Sequence, residues 1–270
     1  MPTFTPDLIS WTTQHLLLGF AATDTVLSNA TGFIYQRAGL FYLVTNWHVV
    51  SGRHPTKGEC LSESKGVPDL ISTLFRPIEQ FSVTRRESLA LFADDAMREP
   101  LWYEHPRQGR AVDVVAIPLA EQIAKSYQLS PINAIEFDIA FESQIADDAF
   151  VIGYPFSDVT QFALPIWKRA SVATEPQIDI DGLPKLLIDT ATRSGLSGSP
   201  VIMQRVSVHG MSGDELQGNE IIGRIRNFIG VYSGRIGRDE LKAQLGIVWK
   251  AKVIEEIIDA RVLGKPPHSL

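Results

Sequence analysis

RSGLSGSPV, residues 193–201, is the stretch on which the reading of this chain turns. Gly195 and Gly198 bracket Leu196 and Ser197, and Ser199 and Pro200 follow. Residues this small let a backbone turn sharply and approach a ligand closely. The stretch is either a tight turn or a mount for a reactive serine. A serine hydroxyl is a poor nucleophile at neutral pH. It needs a base, usually histidine, and often a carboxylate that holds the imidazole in the right tautomer. It also needs donors for the negative oxygen that forms when a carbonyl is attacked. The amides of Gly195 and Ser197 reach one side of the turn if Gly195 takes a conformation that glycine tolerates.

The base must come from His15, His48, His54, His105, His209 or His268. Five of these sit in polar or irregular surroundings. His48 differs, because it follows FYLVTNW, which reads as an apolar strand, and precedes two valines. Two aspartates compete for the third role. Asp113 opens DVVAIPL, and Asp138 lies in FDIAF, residues 137–141. Asp113 is preferred because it leaves room for further strands before GYP, residues 153–155, whereas Asp138 lies close to them.

Outward from these residues, most apolar segments are short and β-branched, with turn formers between them. TGFIY (31–35), VDVVAIPL (112–119), DAFVIGYP (148–155), KLLIDTA (185–191), FIGVYSG (228–234) and LGIVW (245–249) are examples. Such a pattern predicts an all-β sandwich or barrel. No strand–helix alternation appears, which argues against a doubly wound fold. Residues 237–244 predict a short turn or helix. Residues 250–263 predict an amphipathic helix with Val253, Ile254, Ile257, Ile258 and Val262 on its packed face, ended by Gly264 and Pro266. Residues 51–68 and 204–220 read as surface loops, and a join between two halves is expected near 120–132.

Composition narrows the function. The chain has 270 residues, 44% hydrophobic and 21% charged, and its formal net charge is −6, which suits a soluble globular protein and disfavours nucleic acid. Cys60 is alone, so no internal disulfide forms, and a reducing, cytoplasmic setting is expected. The N-terminal stretch has neither a basic n-region nor a long apolar run, so no secretory signal and no membrane anchor is read there.

TNWHVV (45–50) resembles the strand-end histidine motif of trypsin-like serine peptidases. VDVVAIPL resembles their aspartate motif, and GLSGSP (195–200) their nucleophile motif. GYP is similar to the glycine-rich strand between those two, and GVYSG (230–234) to the strand that follows the serine. The order, His then Asp then Ser, is that of the family, and the resemblance runs from about residue 28 to about 249. The family implies two packed antiparallel β-barrels, chymotrypsin-like, followed here by the C-terminal helix. The expected halves are 1–122, carrying His48 and Asp113, and 123–270, carrying Ser197. The resemblance implies His48 as base and then acid, Asp113 as its orienting carboxylate, Ser197 as nucleophile, and an oxyanion hole from Gly195 and Ser197. It implies Ala191, Thr192 and Ser233 at the substrate. The substrate would be a polypeptide, with no metal or organic cofactor, no nucleic acid and no membrane.

The sequence also departs from the family pattern. Leu196 stands where digestive members carry the aspartate that pairs with a freed N-terminus, so activation by that route is not expected. The missing disulfides resemble the cysteine-poor bacterial members. Ala191 at the expected pocket base argues against a preference for Lys or Arg and for a small or medium apolar side chain, although Asp189 or Arg235 reaching the cleft would overturn this. Two alternatives stand beside the peptidase. One is a latent or inactive trypsin-like fold that binds peptides or waits for an activating or gating partner. The other is an α/β-hydrolase esterase, disfavoured because its serine comes before its aspartate and histidine.

Overall fold

The computed structural model describes residues 5–23, 25–62, 65–80, 83–137, 142–156, 163–191, 194–209, 221–236 and 244–267. Strands dominate, so the all-β expectation holds. The first group comprises β1 (Thr13–Phe20), β2 (Thr25–Arg37), β3 (Leu40–Thr45), β4 (Leu70–Pro77), β5 (Arg85–Ala90), β6 (Tyr103–Glu104), β7 (Val115–Pro118) and β8 (Tyr127–Gln128). The second comprises β9 (Asp148–Gly153), β10 (Ile166–Val172), β11 (Lys185–Asp189), β12 (Pro200–His209), β13 (Ile221–Arg235) and β14 (Leu245–Lys250). Helix α1 (Trp47–Ser51) follows β3, α2 (Glu121–Ser126) precedes β8, and α3 (Lys252–Ala260) leads into β15 (Val262–Leu263).

Among the described residues the second group closes into a barrel in the order β10-β11-β14-β13-β12-β9. The first group, joined by β15, forms an antiparallel sheet in the order β15-β6-β7-β3-β2-β1-β4-β5, with β8 paired to β4. Closing a sheet on itself removes its edges, and alternate residues then fill the interior. That interior holds Val151, Val172, Ile188, Val201, Met203 and Val248. The first sheet buries its own set, including Leu16, Ile34, Leu43, Trp47, Phe75 and Trp102.

A third cluster joins the halves. Phe33, Val44 and Val114 come from the first group, and Ile152, Ile202, Val231 and Trp249 from the second. Val253, Ile254, Ile257 and Ile258 of α3 complete it. Their spacing puts all four on one helix face. The helix is shorter than its apolar pattern predicts. Arg261 turns left-handed at φ 51° and stops it. Val262 and Leu263 then pair with Glu104 and Tyr103 as a strand, which leaves Val262 exposed rather than packed.

Two other expectations need correction. Residues 204–209 extend β12 and pair with β13 as far as His209 and Ile221, so the loop expected from 204 is strand in its first part. The apolar run through Trp47 is not one strand either: β3 ends at Thr45 and the chain winds into α1. The segments 210–220 and 237–243 lie outside the described residues, and with them the rest of the expected loop and most of the helix expected at 237–244.

Candidate active site

His48 sits in the first turn of α1, directly after Asn46 and Trp47. The helix holds the imidazole close to the end of β3, while β7 begins beside it: Thr45 pairs with Val115. That pairing brings the Asp113 loop to His48. The Asp113 carboxylate is 2% exposed and grips the helix at two points. Oδ1 accepts from the His48 backbone amide at 2.8 Å, and Oδ2 lies 2.6 Å from His48 Nδ1. Asn46 Nδ2 donates to the Asp113 carbonyl at 2.7 Å. Ser233, on β13, donates from Oγ to Asp113 Oδ2 at 2.5 Å. A carboxylate can only accept, so in the neutral imidazole the contact selects the tautomer with the proton on Nδ1 and the lone pair on Nε2.

The serine turn is braced from the first sheet. Gly195 and Gly198 have φ of +93° and +83°, in the region that glycine alone enters freely. At Gly198 a Cβ would collide with the Thr31 carbonyl oxygen and Thr45 Oγ1. Thr31 is the main strut. Its amide donates to the Ser197 carbonyl at 2.9 Å, and its hydroxyl donates to the Gly195 carbonyl at 2.8 Å. The same hydroxyl accepts from the Tyr154 amide at 3.0 Å. From the barrel side, the Tyr232 carbonyl accepts from Gly198 N at 2.9 Å, and within the turn Ser199 N donates to the Leu196 carbonyl at 3.0 Å. Among the described residues, the Gly195 and Ser197 amides donate to no backbone carbonyl. Leu196 is 2% exposed and packs into the barrel core.

His48, Gly195 and Ser197 line one cleft, with a volume of about 300 Å³. Ser197 is half-buried, and the His48 side chain keeps 16% of its exposure, so both meet that cleft. Ser194 is exposed on the same wall. The hydroxyl of Ser233, expected at the substrate, is engaged by Asp113. Ala191 is exposed beside buried Thr190, while Thr192 lies outside the described residues, as do Asp138 and His268.

The remaining described histidines have other company. His105 is 3% exposed and its Nε2 contacts Glu256 Oε2 at 2.8 Å, tying β6 to α3. His54 Nδ1 accepts from its own loop's amides, and His15 lies buried with its ring 5.0 Å from that of Tyr154. Sequence reading missed Thr31, Thr45 and Asn46. In a single sequence they look like ordinary strand and strand-end residues, and only the meeting of the two halves gives them their partners.

The trypsin-like peptidase domain family matches residues 30–211, and the chain belongs to that family. Among solved structures it is similar to the active form of the Rv3671c protease from M. tuberculosis, at 16% identity and a TM-score of 0.49, covering 96% of this chain and 84% of that one. It is also similar to the HtrA-type protease AlgW, solved as a serine-to-alanine variant with a tripeptide, at 14% identity and a TM-score of 0.48, covering 94% of this chain and 60% of that one. The comparison with curated proteins found no match. Among the described residues, no helix is long and apolar enough to cross a membrane.

Proposed function

We propose that this peptidase-family chain is a serine endopeptidase that cleaves polypeptides through an acyl-enzyme, with Ser197, His48 and Asp113 as its triad. The observation that carries the reading is the 2.6 Å contact between Asp113 and His48 Nδ1 on the wall of the cleft that Ser197 also lines. It leaves Nε2 as the free base, which is what a serine nucleophile requires.

Ser197 Oγ bonds to the substrate carbonyl carbon as its proton passes to His48 Nε2. The carbonyl oxygen takes the negative charge, and the Gly195 and Ser197 amides donate to it. The carbon–nitrogen bond then breaks as Nε2–H protonates the departing amine. Water attacks the resulting ester with its proton again going to Nε2, and the acid product leaves as Ser197 Oγ recovers a proton. Asp113 stays ionised throughout and stabilises the imidazolium each time it forms. The resemblance, which puts Ala191 at the base of the specificity pocket, supports a small or medium apolar residue on the acyl side of the cleaved bond. The lone Cys60 supports a reducing compartment.

Labelling with a fluorophosphonate tests the reading. Wild type should react and Ser197→Ala should not, with circular dichroism showing both folded. A folded wild type that does not label overturns it.

A further inference from the structure

The cleft beside Ser197 is asymmetric, and its asymmetry has a chemical meaning. Its apolar wall is built by Leu27 and Ala30 of β2, Val49 of α1, and Leu61 and Pro68 of the connection from α1 to β4. Among the described residues, no Asp, Glu, Lys or Arg lines it. Leu27 packs onto the loop opposite: a Cβ placed on Gly66 would lie 3.1 Å from Leu27 Cδ2. Leu61 stands at the rim, 52% exposed. The loop that carries it is pinned to the catalytic helix, because Leu61 N donates to the Gly52 carbonyl at 2.9 Å and Gly52 N to the His48 carbonyl at 3.1 Å.

The histidine fixes which part of a substrate meets this wall. Asp113 holds Nδ1, and Asp113 and Ser233 therefore occupy that side of the ring. Nε2 lies on the opposite edge. No described residue of β13, the strand that carries Ser233, lines the cleft. A proton delivered from Nε2 goes to the departing nitrogen. The chain attached to that nitrogen starts on the Nε2 side.

We infer that this cleft receives the leaving, amine-side half of the polypeptide and selects an apolar side chain in the residue directly after the cleaved bond, with Leu27 and Leu61 as the residues that set the choice. The inference rests on the endopeptidase reading above. Burial of an apolar side chain against this wall is favourable, whereas a charged one would lose water with no partner among the described lining residues.

Internally quenched peptides test it. One acyl half is chosen from a peptide the enzyme cleaves in a random library, and the next residue is varied among Leu, Asp and Lys. The Leu peptide should exceed the Asp peptide in kcat/KM by about tenfold or more. Leu61→Asp, at the exposed rim, and Leu27→Asp should lower kcat/KM for the Leu peptide relative to the Lys peptide. Leucinamide should also capture the acyl group from the enzyme more efficiently than aspartic acid amide. A protein that labels and cleaves Leu, Asp and Lys peptides at equal rates overturns the inference and leaves the peptidase reading intact. A folded protein that neither labels nor cleaves any library peptide overturns that reading, and this inference with it.

Discussion

Asp113 does three jobs with two oxygens. It accepts from the His48 amide, from His48 Nδ1 and from Ser233, and it is almost wholly buried. Asp113→Asn keeps the shape but offers an N–H where an acceptor is needed, which favours the wrong histidine tautomer. We expect kcat to fall by roughly 10⁴-fold on a cleaved peptide, with the fold retained by circular dichroism. Ser233→Ala removes one charge-assisted donor and leaves the imidazole in place. Its cost should be smaller, about tenfold in kcat with KM little changed, because a hydrogen bond to a charged group contributes on the order of 1.5–3 kcal/mol. Equal activity of Ser233→Ala and wild type would show that the hydroxyl does not support the carboxylate. His48, Asp113 and Ser197 stood out in the sequence by neighbours and order. The hydrogen bond from Ser233 to Asp113 was not legible, because a strand position does not say which neighbour its hydroxyl will meet.

At the scale of elements, the serine turn is a feature of two sheets. Its two glycines are demanded from outside the turn, by β2 and β3 for Gly198 and by β2 and the segment after β9 for Gly195. Gly198→Ala would set a Cβ against Thr31 and Thr45 at a left-handed φ, so the turn must shift. The expected result is loss of fluorophosphonate labelling together with a lower midpoint in urea. Thr31→Val is a gentler probe. It removes the hydroxyl that links Gly195 to Tyr154 and should destabilise the protein by about 1–3 kcal/mol, since two buried polar groups lose their partner. The glycines were legible in the sequence as a turn. The threonine was not, because β-branched residues are common in strands for reasons of packing alone.

At the scale of the molecule, α3 acts as a stay. Its four apolar residues pack with side chains from both strand groups, and β15 returns the chain to the first sheet. Ile257→Ala should cost about 2–5 kcal/mol in chemical denaturation, as truncation of a fully buried isoleucine does. Because the cluster is shared, both halves should unfold in one transition. Tyr154 ties pH to the same junction. Burial pushes its hydroxyl up to about 12. A tyrosine harder to ionise when folded adds stability that is complete below its unfolded value of about 10 and is lost as the pH rises through that value toward 12. Tyr154→Phe should therefore flatten the decline of stability between those two values, measured by denaturant melts across that pH range.

What the sequence determined by itself was local or ordered along the chain. Short β-branched segments between turn formers predicted an all-β protein, since period and turn chemistry are properties of neighbouring residues. The order of His48, Asp113 and Ser197 pointed to the family. The apolar face of α3 was written in its spacing. Tertiary structure alone decided the rest: that Arg261 breaks the helix so that Val262 and Leu263 pair with β6, that Ser233 donates to Asp113, and that Thr31 braces the serine turn. Each of these depends on a backbone or hydroxyl group meeting a partner far away in sequence. The free energy of such a contact exists only once the two halves are packed together.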